Sequence, residues 1–401
     1  MHALERFSSA AIVLMIFAIG CGTSPPSDDA YDDALLLSMA ALGENEDGSP
    51  KPLPGRVGVL SFDGAEWHYR YFEDGDSNVI HKAMAYQDSG VLTFGGTKAV
   101  VKLRSPSGDV ETLWEADFGG KFSRMRDAEV GDIYGDGTAA IAVATHDQGV
   151  VAVLRPDGDG GFSVEELDRE PNTVVHEIEL GDLDGDGTIE IYATPTAPNK
   201  LDGTPQAGQV VRYVPAKAEG RVVVADLGNR HAKEILVADI DGDGRDELYV
   251  SVEGVAGGSV EILRYDADTD PAERNIVATI DDRLCRFLTA GDVDGDGTLE
   301  IVAATNKKGL WLLRLESGDR WSKELIASDS SGFEHASILL DLDHDGRDEL
   351  YVASDDQKEV RRYRLTNDGN WEREVLWKHE DELSRFTWNL MPAPIELVPE
   401  N

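Results

Sequence analysis

Cysteine is almost missing from this chain: 401 residues hold two, Cys21 and Cys285. A disulfide framework is therefore excluded as the source of rigidity. Positive charge is also scarce. Lysine and arginine number 37 against 77 aspartates and glutamates, a formal net charge of -40. A field of that sign repels polynucleotides and anionic lipid, so no nucleic-acid partner and no adsorption to a membrane surface is expected. No apolar run approaches the roughly 18 residues a membrane-crossing helix needs; residues 10–19 make one of only ten. Enzyme signatures are wanting too: no Ser/His/Asp order, no Cys–His pair and no histidine-based zinc motif occurs. Gly95, Gly96, Thr97 and Lys98 lack the glycine-rich run of a phosphate loop. A hydrophobic content of 41% is nevertheless ample for a large ordered core.

The acids that dominate the composition are not spread evenly. Four nine-residue stretches place carboxylates at positions 1, 3, 5 and 9, with glycine at 6. They comprise Asp182, Asp184, Asp186 and Glu190; Asp239, Asp241, Asp243 and Glu247; Asp292, Asp294, Asp296 and Glu300; and Asp341, Asp343, Asp345 and Glu349. Alternate aspartates folded inward by a turn can point several oxygens at one centre, and glycine permits the reversal. Position 7 (Thr188, Arg245, Thr298, Arg347) is placed to add a backbone carbonyl. A hard oxygen cage of this kind suits Ca²⁺ better than Mg²⁺, and about four calcium ions are expected. An EF-hand shares the first seven positions but requires glutamate at position 12, where the first loop has Ala193. His344, at position 4 of the last loop, needs no ligand role. An earlier copy keeps Asp132 and Asp136 but has Tyr134 and Ala140 at positions 3 and 9, which retains the turn and forfeits tight calcium binding.

The four loops recur at intervals of 57, 53 and 49 residues. Around each lie four short β-rich segments punctuated by glycine and aspartate, the pattern of a propeller blade. Inner strands are expected near residues 81, 126, 176, 235, 286 and 336. Residues 56–60 and 66–72 match the two outer strands of a blade without inner ones ahead of them. Residues 384–390 and 394–398 match inner strands without outer ones behind. The expected fold is thus all-β, a seven-bladed propeller of four-stranded antiparallel blades closed by pairing the chain ends, with six blades as the alternative. Ala34 to Leu42 is compatible with a short helix, and Cys285 with a buried strand position.

Six residues before position 1 of each loop stand Arg126, His176, Lys233, Arg286 and His335. Lys, Arg and His make up 46 of 401 residues, so five in one column is not noise. A looser extension of the frame reaches His81 and Arg385. On inner strands these seven would ring the central channel, where they either bind an anion or bridge to neighbouring acids.

The amino-terminal region reads differently. The apolar run 10–19 ends in Ala18, Ile19, Gly20 and Cys21 and is followed by a Ser/Pro-rich stretch. This resembles a bacterial lipoprotein signal. The resemblance implies removal of residues 1–20, lipidation of Cys21, a flexible tether over 21–54 and a propeller over 55–401. Glycine after Cys21 resembles lipoproteins sent to the outer membrane, which implies a periplasmic or surface-exposed place in the cell envelope and membrane contact through the lipid alone.

The loops, with strands on both sides and a period near 50 residues, resemble the FG-GAP/VCBS-type calcium-binding repeats that build integrin-alpha-like β-propellers. The resemblance implies structural calcium. The expected function is a calcium-stabilised, lipid-anchored module that binds or scaffolds an envelope protein or an acidic or neutral glycan. The alternative is a calcium-dependent polysaccharide lyase or other carbohydrate-active enzyme using the basic channel residues.

Overall fold

The computed structural model describes residues 31–400, apart from 120–122, 147, 199–203, 256, 318 and 382. The expected signal segment and Cys21 lie outside the described residues. Among these, the strands form seven antiparallel sheets arranged as the blades of a propeller, six with four strands and one with five. Blade 1 consists of Ile80–Tyr86, Gly90–Gly95, Ala99–Arg104 and Val110–Ala116, paired in chain order. Blades 2 to 6 repeat the plan over 125–168, 174–226, 232–280, 285–327 and 337–378.

Each blade reads from its sequence in the same way. The second strand is an apolar run buried along its whole length, as in Ala140–Thr145 and Glu300–Thr305, because it faces a neighbouring blade on both sides. The fourth strand, such as Phe162–Asp168, lies at the rim and is largely exposed. The core is accordingly a set of slabs between blades. One slab joins Leu92 and Phe94 of blade 1 to Ile141 and Val143 of blade 2; another joins Leu248 and Val250 of blade 4 to Tyr192 of blade 3. Every blade needs both neighbours, so the ring must close.

Closure is made by the two ends of the chain. Ser384–Pro394 forms the inner strand of blade 7; Asp33–Glu44 lies beside it, and Gly55–Phe62 and Trp67–Asp74 complete the sheet. A short strand, Pro50–Pro52, pairs with the far end of Asp33–Glu44. This corrects the reading of 33–54 as tether and of 34–42 as a helix. Ala34, Leu35, Leu36 and Leu37 are all fully buried. Their helix-favouring side chains leave no polar face for a solvated helix, and the strand buries both faces. Residues 394–398, expected as a second inner strand, instead contain a 3-10 turn at Ile395–Leu397. The ring of blades closes at the rim as well, where Tyr69 of blade 7 stacks on Trp377 of blade 6 with centroids 4.9 Å apart.

Candidate functional site

Each acidic loop joins the first strand of a blade to its second. In the 182–190 loop, Gly185 and Gly187 adopt φ of +69° and +82°, which a side chain at either place would resist. The first aspartate holds the turn: Asp186 N–H donates to Asp182 Oδ1 at 3.1 Å and Gly187 N–H to Oδ2 at 2.7 Å. The same pair of bonds recurs on Asp239, Asp292 and Asp341. The position-7 amides of Thr188, Arg245, Thr298 and Arg347 donate to the Oδ1 of Asp186, Asp243, Asp296 and Asp345. The backbone thus fixes the side chains it needs to converge.

They do converge. Potential ligand oxygens of Asp239, Asp241, Asp243 and Glu247 lie within 4.8 Å of one another; so do those of Asp182, Asp184 and Asp186, of Asp292, Asp294 and Glu300, and of Asp341, Asp343 and Asp345. Four clusters are therefore poised for a divalent cation. Glu190, Asp296 and Glu349, expected among the ligands, stand outside their clusters. Glu190 is turned to Arg212 Nη1 at 2.7 Å and to the Tyr192 hydroxyl, and Glu349 accepts from the Tyr351 hydroxyl at 3.0 Å. The donor set fits a hard ion. Both carboxylate oxygens of buried Asp343, and Oδ1 of Asp294, have no hydrogen-bond partner, and a buried oxygen left without a bond is unfavourable until a cation takes it up. Burial pushes the carboxyls of Glu247 and Glu300 up to about 7 and that of Glu349 up to about 9. The relic loop is completed otherwise: Arg155 bridges to Asp136 and lies over the Tyr134 ring at 4.8 Å.

The second assembly lies in the central channel. His81, Arg126, His176, Lys233 and Arg286 line one small cavity together with Glu334, Trp388 and Asn389. Two of the seven ring candidates are not there. His335, at φ +60° before a short inner strand, is buried; its Nδ1–H donates to the Thr305 carbonyl at 2.7 Å and its Nε2 meets the Ser330 hydroxyl at 2.7 Å. Arg385 forms a two-oxygen bridge to Asp381 at 2.6 and 2.7 Å. Blades 6 and 7 have their own backbone path here, and present Glu334, and Trp388 with Asn389, in place of those two. Below the basic layer Lys82 is bracketed by Asp127, 3.1 Å away, and Glu129. Burial holds the carboxyls of Glu177, Glu179 and Glu234 well above the usual range. Cys285 is buried, and burial raises its thiol to about 12, so it is an inert core side chain.

The FG-GAP-like repeat family matches residues 103–193 and 239–303, which span the relic loop and three of the four acidic clusters. Part of this chain carries an FG-GAP-type repeat. No curated protein matches this chain. Among solved structures, the periplasmic gluconolactonase of Pseudomonas aeruginosa has a TM-score of 0.51 at 16% identity, covering 88% of this chain and 99% of that one. A protein from Lactobacillus plantarum has a TM-score of 0.54 at 11% identity, covering 91% and 99%. At those identities the likeness is one of fold.

Two features of the FG-GAP-type loops escape a reading of carboxylate spacing. Position 8 is aspartate in two loops, and each clasps the loop of the preceding blade. Asp246 Oδ2 accepts from Asp182 N–H at 2.8 Å, and Asp348 Oδ2 from Asp292 N–H at 2.7 Å. A side chain at Gly181 or Gly291 would meet these aspartates at 3.0 and 2.6 Å, and at Gly181 also Val237 Cγ1 at 2.2 Å, which explains the glycine before these two loops. Second, an arginine from the third strand braces an acid of each loop: Arg212 on Glu190, Arg264 on Asp241 at 2.7 Å, Arg314 on Asp294 at 2.7 Å, with Arg362 and Arg364 3.7 and 3.9 Å from Asp343. Its signal was the recurrence of Arg155, Arg212, Arg264, Arg314 and Arg364 in successive third strands.

Proposed function

We propose that this protein is a calcium-stabilised β-propeller of the bacterial cell envelope, anchored by lipid on Cys21, that binds or scaffolds an envelope glycan or protein. The observation that carries the calcium reading is the set of four acidic clusters in which buried oxygens of Asp343 and Asp294 lack a partner. The clasps from Asp246 and Asp348 tie loops of adjacent blades, so an ion there stiffens the ring rather than performing chemistry. A glycan has a suitable surface. Trp67, Tyr69, Tyr71 and Trp377 line a groove of about 870 Å³ between blades 7 and 6, with Tyr71 48% exposed. Aromatic faces of this kind stack on sugar rings while flanking charges meet hydroxyls. Retention on purified cell-wall glycan is the test. The expected result is calcium-dependent retention that falls at least several-fold in Tyr71→Ala; equal retention of wild type and variant, or none, removes the glycan reading. Labelled palmitate should enter the wild type and not Cys21→Ser.

A second reading is a carbohydrate-active enzyme working in the channel. Burial and the neighbouring Arg286 lower Lys233 to about 7, the range of a general base. The gluconolactonase shares the propeller, and the carboxylate of a sugar acid is the group Arg126 and Arg286 would attract into the cavity, with the sugar ring left outside it. Under this reading incubation with polyuronates or sugar lactones gives turnover that Lys233→Met abolishes.

A further inference from the structure

The channel cavity measures about 20 Å³, room for one water-sized body and too little for a sugar ring. Its walls carry an excess of unused donors. His176, 5% exposed, has no partner on either ring nitrogen; burial and Lys233 lower its pKa well below the ordinary value, so its neutral ring brings one N–H donor. Arg126 Nε, Arg286 Nη2 and Trp388 Nε1 are likewise buried and unpaired. Lys233, 6% exposed, forms no hydrogen bond or ion pair among the described residues. Each buried donor left unmade costs about 1–3 kcal/mol, and charged ones more, so a void surrounded by them is a site awaiting an acceptor.

The acids around the cavity are already committed. Asp127 takes Lys82 at 3.1 Å and the Ile178 N–H at 2.9 Å. Glu334 takes Arg286 Nη1 at 2.7 Å, while Glu253 is shared between Arg286 Nε at 3.3 Å and His231 at 3.1 Å. Burial and the nearby Asp127 and Glu234 raise the Glu177 carboxyl well above its usual range. Among the described residues Arg126 is recorded against the face of Trp388, 4.8 Å from its guanidinium carbon, and in no ion pair. Arg126 therefore stands without an ion-pair partner among the described residues, and Lys233 feels Glu253 and Glu334 without bonding to either. Asn389 Oδ1 is also unpaired, and half a turn of its amide would present Nδ2 as one more donor. A water molecule accepts two hydrogen bonds; a spherical or carboxylate anion accepts more and supplies the missing charge.

We propose that this cavity binds one small monovalent anion, either a free halide or the carboxylate head of a larger molecule, held by Arg126 and Lys233 with the two histidines and Trp388 closing the shell. The site goes beyond the calcium-stabilised module and does not require turnover. Three consecutive blades would be joined through it, since Arg126, His176 and Lys233 come from blades 2, 3 and 4, of which only 3 and 4 are also tied by a loop clasp.

The test is made on the calcium-loaded protein crystallised with bromide as the halide and measured at the bromine absorption edge. One anomalous peak in the cavity, within hydrogen-bond distance of Lys233 and Arg126, is expected. Melts at fixed ionic strength and saturating calcium give the solution readout. Bromide in place of a bulky sulfonate should raise Tm saturably by roughly 3–6 °C, and Arg126→Gln should lose that rise while keeping its calcium binding. Acetate that matches bromide and displaces the peak assigns a carboxylate ligand; acetate without effect assigns a halide. Density for water alone, with Tm indifferent to the anion, overturns the proposal. Should Arg126→Gln fail to fold, the bromide peak in the wild type decides alone.

Discussion

His344 occupies a left-handed backbone position, φ +56°, where the other three acidic loops have glycine. A Cβ there is strained, and the side chain plays no part in the acidic cluster. His344→Gly should therefore raise stability by roughly 0.5–1 kcal/mol, read as a higher Tm with unchanged metal binding. His335 makes a contrary case, since it is buried with both ring nitrogens engaged. Burial lowers its pKa to about 4 in the fold, against the ordinary 6.5 of an unfolded chain. The unfolded chain thus binds more protons between pH 6.5 and 4, and this contribution to stability, full above 6.5, is lost as pH falls through that window. It amounts to up to roughly 3 kcal/mol. Asp355, pushed up to about 6 by burial, works in the opposite sense from 3.8 upward, so the clean measurement is a difference. His335→Asn should be less stable than wild type at neutral pH, with the gap closing by pH 4; a gap constant with pH would contradict the assignment. Charge columns are legible in a sequence only while the backbone frame repeats. Arg126, His176, Lys233 and Arg286 hold that frame and meet in the channel, whereas His335 and Arg385 enter at blades whose inner strands differ in length.

At the level of the element, the acidic loop is not independent of its neighbour. The loops pair as 182–190 with 239–247 and 292–300 with 341–349, through Asp246 and Asp348. Asp246→Ala leaves the Asp182 amide without its acceptor. It should weaken cation binding at the preceding blade's loop by about tenfold, the equivalent of roughly 1–1.5 kcal/mol, without removing the ligands of its own loop. Calorimetry on the variant reads this as one weakened site, and full-strength binding at all sites would show that the clasp carries no coupling. The clustered aspartates are legible in the sequence because carboxylates on alternate positions around a glycine have few other uses. The clasp is not, because a lone aspartate beside arginine looks like solvated charge until the next blade is placed against it. Second strands were legible as continuous apolar runs. Asp33–Glu44 was obscured by its Ala, Leu and Met content, whose local preference is helical and is overridden by burial on both faces.

Across the whole molecule, stability rests on a closed ring whose last joint is non-covalent. Asp33–Glu44 pairs with Ser384–Pro394 over ten residue positions, from Asp33 opposite Pro394 to Leu42 opposite Ser384. Leu36→Ala, at a fully buried site in that joint, should cost about 2–5 kcal/mol, seen as a lower denaturant midpoint. An unchanged midpoint would mean the joint is not needed to hold the blades together. A net charge of -40 works against this closure, and no disulfide opposes it. Cations seated in the four clusters would relieve the repulsion where it is densest. The decisive measurement is a calorimetric titration of Ca²⁺ into the metal-free protein, with thermal melts before and after. The account predicts about four ions bound and a large rise in Tm, reversed by chelator. No binding, or binding that leaves Tm unchanged, would contradict a propeller held rigid by calcium.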